Sequence, residues 1–119
     1  MAHQFSPGDN LIFQLESGFG ILRVLAVEGY ERETVWHLKA YEEMFPDIET
    51  AEAALALAPE ALHTRVAHMA LTERAFERTP AARLSNRPVS EEELNPYRDW
   101  LEKGGEVSDR SALLMLGLR

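Results

Sequence analysis

The chain has 119 residues, with 12 basic and 20 acidic side chains for a formal charge of −8, 45% hydrophobic residues and no cysteine. One domain is the expectation at this length, and the apolar content excludes a disordered chain. The missing cysteine excludes disulfides, thiolate metal sites and cysteine nucleophiles, while the acidic balance argues against a generally basic binder of nucleic acid or anionic membranes. Residues 1–11 carry neither the basic start nor the apolar stretch of a secretion signal. No apolar run approaches the roughly 18 residues of a membrane span. The expectation is a soluble, cytoplasmic single domain over residues 1–119, strand-rich at 8–45 and 64–89 and helical at 47–58 and 90–104.

Ser6-Pro7-Gly8-Asp9 reads as a turn, after which Leu11, Phe13 and Leu15 alternate with Ile12 and Gln14, the period of a strand. Glu16-Ser17-Gly18 closes a hairpin turn. From Phe19 to Val27 a longer strand is apolar on both faces, with Arg23 as its one charge, so it belongs in the middle of a sheet or a small barrel. Gly20 permits a bulge or a close backbone approach there. A polar loop over residues 29–33 leads to a third strand, residues 34–41, with Trp36, Leu38 and Ala40 toward the core. Three sequential strands with short turns make a meander, and a strongly bent one suits an SH3-like, partly open antiparallel barrel.

Pro46-Asp47 breaks the strand pattern. Asp47 is placed to cap a helix whose inner face is Ala51, Ala54, Leu55 and Ala58, and Pro59 stops it. Residues 65–72 return to strand with Ala67, Met69 and Leu71 inward. Residues 83–89 read as another short strand, and Pro88 assigns it to an edge. Ser90 to Glu93 has capping-box form. Because Pro96 would interrupt a continuous helix, the expected parse is one turn at residues 91–94, then a second helix capped by Asn95 with Tyr97, Trp100 and Leu101 on one face. It ends at Gly104-Gly105. Ser108 either caps a final helix or enters a strand. The apolar run Leu113, Leu114, Met115, Leu116 needs burial, either in the domain or as a homodimer contact. The fold class expected is therefore α+β, a barrel-like sheet followed by C-terminal helices.

The charge is segregated along the chain. Residues 28–60 hold nine acids against two bases, residues 61–90 five arginines against two glutamates, and residues 91–109 seven acids against two bases. Chemistry is thinly signalled by comparison. His3, His37, His63 and His68 include no HxH, HxxxH or HExxH spacing, so neither a metal nor a cofactor is expected, and His37, out of phase with Trp36 and Leu38, is expected at the surface. No GxSxG occurs, and Gly18-Phe19-Gly20 sits in a hairpin where a phosphate loop would need a helix behind it. Glu42-Glu43 and Glu91-Glu92-Glu93 are dense carboxylates, but adjacent residues point in different directions and form no converging dyad; no catalytic residue is assigned. Candidate binding residues are the acids Glu42, Glu43, Asp47, Glu49 and Glu52, with Trp36 as an aromatic anchor. The alternative set is Arg65, Arg74, Arg78, Arg83 and Arg87, suited to nucleic acid or another anionic ligand, although no aromatic pattern accompanies them.

Gly8-Asp9-Asn10-Leu11-Ile12-Phe13-Gln14-Leu15, followed by Gly18-Phe19-Gly20-Ile21-Leu22-Arg23-Val24-Leu25, resembles the opening of the bacterial immunity protein twenty-six family. Leu84-Ser85-Asn86-Arg87-Pro88-Val89 with Glu91-Glu92-Glu93 is similar to that family's later short strand, proline and acidic helix start. Thr79-Pro80-Ala81-Ala82 stands where such proteins often place a tryptophan. The resemblance covers about a third of the chain. It implies a small non-enzymatic protein that binds and neutralises a toxin domain. Acidic character is compatible with that role, because charge complementarity speeds encounter with a basic partner and sets its orientation.

Overall fold

Strict alternation in three consecutive segments, separated by turn residues, builds the first three strands. The computed structural model describes residues 5–15, 18–29, 34–112 and 116. Along it run β1 (Asp9–Leu15), β2 (Gly18–Glu28), β3 (Val35–Tyr41), α1 (Ile48–Leu57), a 3-10 turn (Pro59–Ala61), β4 (Thr64–Thr72), α2 (Glu73–Glu77), β5 (Ala81–Asn86) and α3 (Glu91–Glu102). The five strands form one antiparallel sheet in the order β4-β3-β2-β1-β5. β1 to β4 are a meander, and β5 returns to lie beside β1. β4 and β5 stand at opposite ends of that order, so the sheet is open. The architecture is α+β, as the sequence predicts. The turn at residues 16–17, the loop at 30–33 and most of the tail run lie outside the described residues. No helix among the described residues is long and apolar enough to cross a membrane.

Both faces of the sheet are covered, which explains why β2 is apolar on both sides. The first face carries Leu11, Phe13, Leu22, Val24, Trp36, Leu38, Met69 and Leu71, packed against Ala75 and Phe76 of α2 and against Ala112 and Leu116. The second face carries a smaller apolar cluster, Ile12, Ile21, Tyr41 and Phe45, closed by Ala51 and Leu55 of α1. Next to that cluster the second face turns polar. Asn10 pairs with Arg23 and Arg23 with Lys39 across the strands, and α3 lies over this row. Gly20 faces Phe13 in register, and a Cβ there would stand 2.5 Å from the ring's Cζ. The glycine thus lets the Phe13 ring lie flat on the neighbouring strand.

Three expectations need correction. Ala67 is exposed, because the register slips between Leu38 and Ala40 so that Ala40 pairs with Val66. The extra residue of this bulge inverts the phase of β4 below Met69 and turns Val66 inward. The break expected at Asn95 does not occur: α3 is one helix from Glu91 to Glu102 with Pro96 inside it. Its first turn is held from outside. Ser90 and Glu93 form a reciprocal capping box, and the Glu93 carboxylate is anchored on Arg23, which offsets the roughly 3 kcal/mol that an interior proline costs. β5 spans Ala81–Asn86, earlier than the expected 83–89, and Pro88 falls beyond it, although the strand does lie at an edge. The five-residue α2, capped by Thr72, is too short to show helical periodicity and was not expected. Ser108 forms an isolated parallel bridge with Leu71, the strand-like one of its two expected roles.

Candidate functional site

The acidic segment builds the outer surface around α1. Asp47 caps the helix, accepting from the Thr50 backbone N–H at 2.7 Å, and Glu42, Glu49 and Glu52 are exposed. Glu43 is engaged differently: its carboxylate accepts from the His63 backbone N–H and meets His63 Nδ1 at 2.6 Å. Burial pushes its pKa upward, but the His63 ring and backbone bonds outweigh that and hold it below the usual carboxylate range, while Glu43 raises His63.

α1 itself is apolar nearly all round, with Ile48, Ala51, Ala53, Ala54, Leu55, Ala56 and Leu57 among its ten residues, yet only Ala51 and Leu55 are buried. Leu57 at the end of α1 is 84% exposed, and Met44 and Ile48, before and at its start, are 46% and 43% exposed. At 100° per residue, Glu49, Ala53, Ala56 and Leu57 share the helix surface away from the sheet. Trp36, the expected aromatic anchor, is 2% exposed. It packs against Phe76 and donates its indole N–H to Glu73 at 2.7 Å, so it belongs to the core and is no surface anchor.

The arginines of residues 65–87 do not converge on one face. Arg65, on the β4 edge, donates to the Leu116 carbonyl. Arg74 pairs with Asp109, whose backbone carbonyl also accepts from Arg78. Arg83, on the opposite edge strand, pairs with buried Asp9 at 3.5 Å. Leu116 is buried in the chain's own core; Leu113, Leu114 and Met115 of the expected dimer contact lie outside the described residues.

The second face of the sheet holds groups that the sequence left unassigned. Arg23 is fully buried and saturated. Its Nε and Nη2 grip the two Glu93 oxygens at 2.7 and 3.1 Å, and Nη1 donates to Asn10 Oδ1 and the Gly8 carbonyl. Nη2 also donates to the carbonyls of Arg87 and Pro88. One side chain thereby ties the β1 entrance, the exit from β5 and the start of α3 to the middle of the sheet. Gly8 makes this junction close, with φ of +93° and a would-be Cβ only 2.7 Å from the Arg87 oxygen. Burial works to raise the Glu93 pKa, but the Arg23 bond, the Ser90 N–H and the charges of Arg23 and Lys39 together bring it down to about 2.

Beside this junction, His37 is fully buried, which corrects its expected surface position: the second face is not solvent but the floor under α3. Its Nε2 lies 2.7 Å from Glu28 Oε1 and its Nδ1 2.9 Å from His68 Nε2. With the His37 proton on Nε2 facing the carboxylate, Nδ1 accepts from His68 Nε2–H. Tyr97 and Trp100 of α3 close over both rings, at 4.4 and 4.8 Å from His37. Desolvation lowers the His37 pKa against the pull of Glu28, and it takes His68 down to about 4, helped by His37. Both rings are therefore neutral at pH 7, and the cluster acts as a neutral clamp for the helix.

Between α3 and the 3-10 turn lies a cleft of about 350 Å³. It is lined by buried Tyr41 and half-buried Lys39 and Arg87, and by exposed Thr64, Glu60 and Glu92. Lys39 Nζ sits 5.0 Å from the centre of the Tyr41 ring and 3.4 Å from Glu93. Among the described residues no group of three or more His, Asp or Glu is placed to hold a metal ion. Compared with protein-family models, curated proteins and solved structures, the chain matches none.

The missed residues had one faint signal. Arg23 is the lone charge in a strand apolar on both faces, and such a charge needs a buried partner. Nothing nearby in sequence names that partner as Glu93, seventy residues away.

Proposed function

We propose that the protein is a non-enzymatic protein-binding module of the immunity type, and that it engages a basic partner through the outer surface of α1. The observation that carries this reading is the mismatch between the composition of α1 and its burial. A helix with seven apolar residues in ten usually buries more than one side, and α1 is covered on one side only, with only Ala51 and Leu55 buried. The open side runs from Glu49 through Ala53 and Ala56 to Leu57 at the helix end, and Glu42, Asp47 and Glu52 are exposed on the same segment. Exposed apolar residues on a segment whose exposed charges are acidic suit an interface with a basic partner. Burying the Leu57 side chain against such a partner contributes about 2 kcal/mol.

The resemblance to the immunity protein twenty-six family supports the same reading. The strand order is compatible with the SH3-like barrel of that reading, because such a barrel would be a meander whose fifth strand returns to the first, and the open sheet here has that order. The alternative, an anion or nucleic-acid binder working through Arg65, Arg74, Arg78, Arg83 and Arg87, is disfavoured by the internal pairing of Arg74 and Arg83 and by their separation across opposite edges.

The test pairs the chain with the product of an adjacent toxin-type gene. Association should slow more than about tenfold as salt rises from about 0.05 to 0.5 M. Leu57→Asp should abolish binding while leaving thermal unfolding nearly unchanged, because the side chain is exposed. Salt-insensitive association, or full binding by the variant, would overturn the assignment of this surface.

A further inference from the structure

We propose that the cleft between α3 and the 3-10 turn is a binding site for a small molecule bearing one oxyanion head, a carboxylate or a phosphate, whose remainder is neutral or cationic. The inference is independent of the protein-binding reading and concerns a different part of the surface.

The argument begins with charge. Lys39, Arg87 and Glu93 line the cleft, and Arg23, buried beneath it, pairs with Glu93. Arg23 takes both Glu93 oxygens at 2.7 and 3.1 Å, and one of them also accepts from the Ser90 backbone N–H at 3.0 Å. Lys39 obtains only a longer contact, 3.4 Å, with an oxygen already bound to Arg23. The Arg87 side chain lines the same cleft as Tyr41, and no carboxylate pairs with it among the described residues. With the Glu93 charge taken up by buried Arg23 behind it, Lys39 and Arg87 stand on the cleft wall as two positive charges, opposite the exposed acids Glu60 and Glu92, and half-buried charges attract a counter-charge more strongly than they do in bulk solvent.

The donors fit an oxyanion. Lys39 supplies a point charge, Arg87 a planar fork, and the hydroxyls of Tyr41 and Thr64 add neutral donors on the same walls. The volume of about 350 Å³ is at the small end of ligand pockets. At the mouth the sign reverses, because Glu60 and Glu92 are exposed acids. A polyanion such as nucleic acid would lay further phosphates against that rim, whereas a single anionic head with a neutral or cationic tail meets complementary charge at both depths.

The experiment is a titration of the isotopically labelled full chain, followed by NMR at constant ionic strength. The probes are sodium acetate, sodium phosphate, glycine and a short single-stranded oligonucleotide, with sodium chloride as reference. Saturable shifts centred on Lys39, Tyr41 and Thr64 with acetate or phosphate are expected, and the stronger of the two identifies the head group. Arg87→Gln, which leaves the backbone carbonyl that Arg23 uses, should weaken binding about tenfold. Glu92→Gln should strengthen acetate binding two- to threefold, a gain that a purely structural residue would not give. No saturable shift, unchanged affinity in Arg87→Gln, or tighter binding of the oligonucleotide than of the small anions at these residues would overturn the proposal.

Discussion

On the face of the sheet covered by α2, every buried residue of the core cluster is apolar, from Leu11 and Phe13 to Phe76 and Leu116. On the face covered by α1 and α3, apolar packing occupies only the α1 half, and the α3 half is built on Arg23, Glu93, His37 and His68. The first face is held by area: any well-fitting apolar set would close it. The α3 half is held by addresses, since each charged or polar group has specific partners at set distances and loses that stabilisation if a partner is replaced. α3 has no fully buried residue of its own, so its position depends on those addresses.

The widest separation between the two faces should come from Arg23→Ala. It leaves Glu93 and the carbonyls of Gly8 and Arg87 facing a void, for an expected loss of about 4 kcal/mol. Urea unfolding measures the loss, and Trp100 fluorescence should report release of α3 before the sheet melts. A double variant, Arg23→Met with Glu93→Leu, should recover most of it, since replacing both charges removes the unpaired partner. If the double variant is as unstable as the single one, the charge pair is not what holds the helix. Leu38→Ala tests the opposite face and should cost about 3 kcal/mol through its cavity. Here the environment of Trp100 should stay native until global unfolding.

Acid should distinguish the two faces next. The folded-state pKa of His68, about 4, lies below its ordinary 6.5, so the unfolded chain binds the proton first. Stability is fully present above pH 6.5 and falls between 6.5 and 4, by about 1–2 kcal/mol once solvent screening of this half-exposed ring is allowed for. His37, lowered in the same direction, adds to this slope. Glu93 acts in a lower window: its stabilisation is present above the ordinary 4.5 and is lost as pH falls through about 2. His68→Phe should flatten the upper window and leave the lower one. A pH titration of the unfolding midpoint would reject the assignment if both windows survive in that variant. The smallest effect belongs to Ser90→Ala, which removes one side of the capping box and should cost about 1 kcal/mol.

Legibility in the sequence follows the same division. Trp36, Leu38 and Ala40 could be read as core because alternation is a local property, and Asp47 as a cap because the reason for it lies within four residues. The Arg23–Glu93 pair spans seventy positions, and neither residue's surroundings identify the other. His37 was misplaced for a related reason. A polar residue out of phase with an apolar strand points away from the first core, but only the later helix shows that a second one lies on that side. The bulge in β4 has no residue signature, so Ala67 and Val66 exchanged roles. Pro96 was a true local signal overruled at a distance, by the anchor that Arg23 provides.

The open sheet has a consequence for how the molecule coexists with other copies of itself. An open sheet ends in strands with unused backbone groups, and those are templates for further strands. β5 limits that hazard in three ways. It is six residues long, it stands between Pro80 and Pro88, which can donate no backbone hydrogen bond, and it carries Arg83 near its centre. The β4 edge is interrupted near its end by Ser108, which exchanges backbone hydrogen bonds with Ala70 and Thr72 at 2.8 and 3.0 Å. Growth by strand addition is thus discouraged at both ends of the sheet.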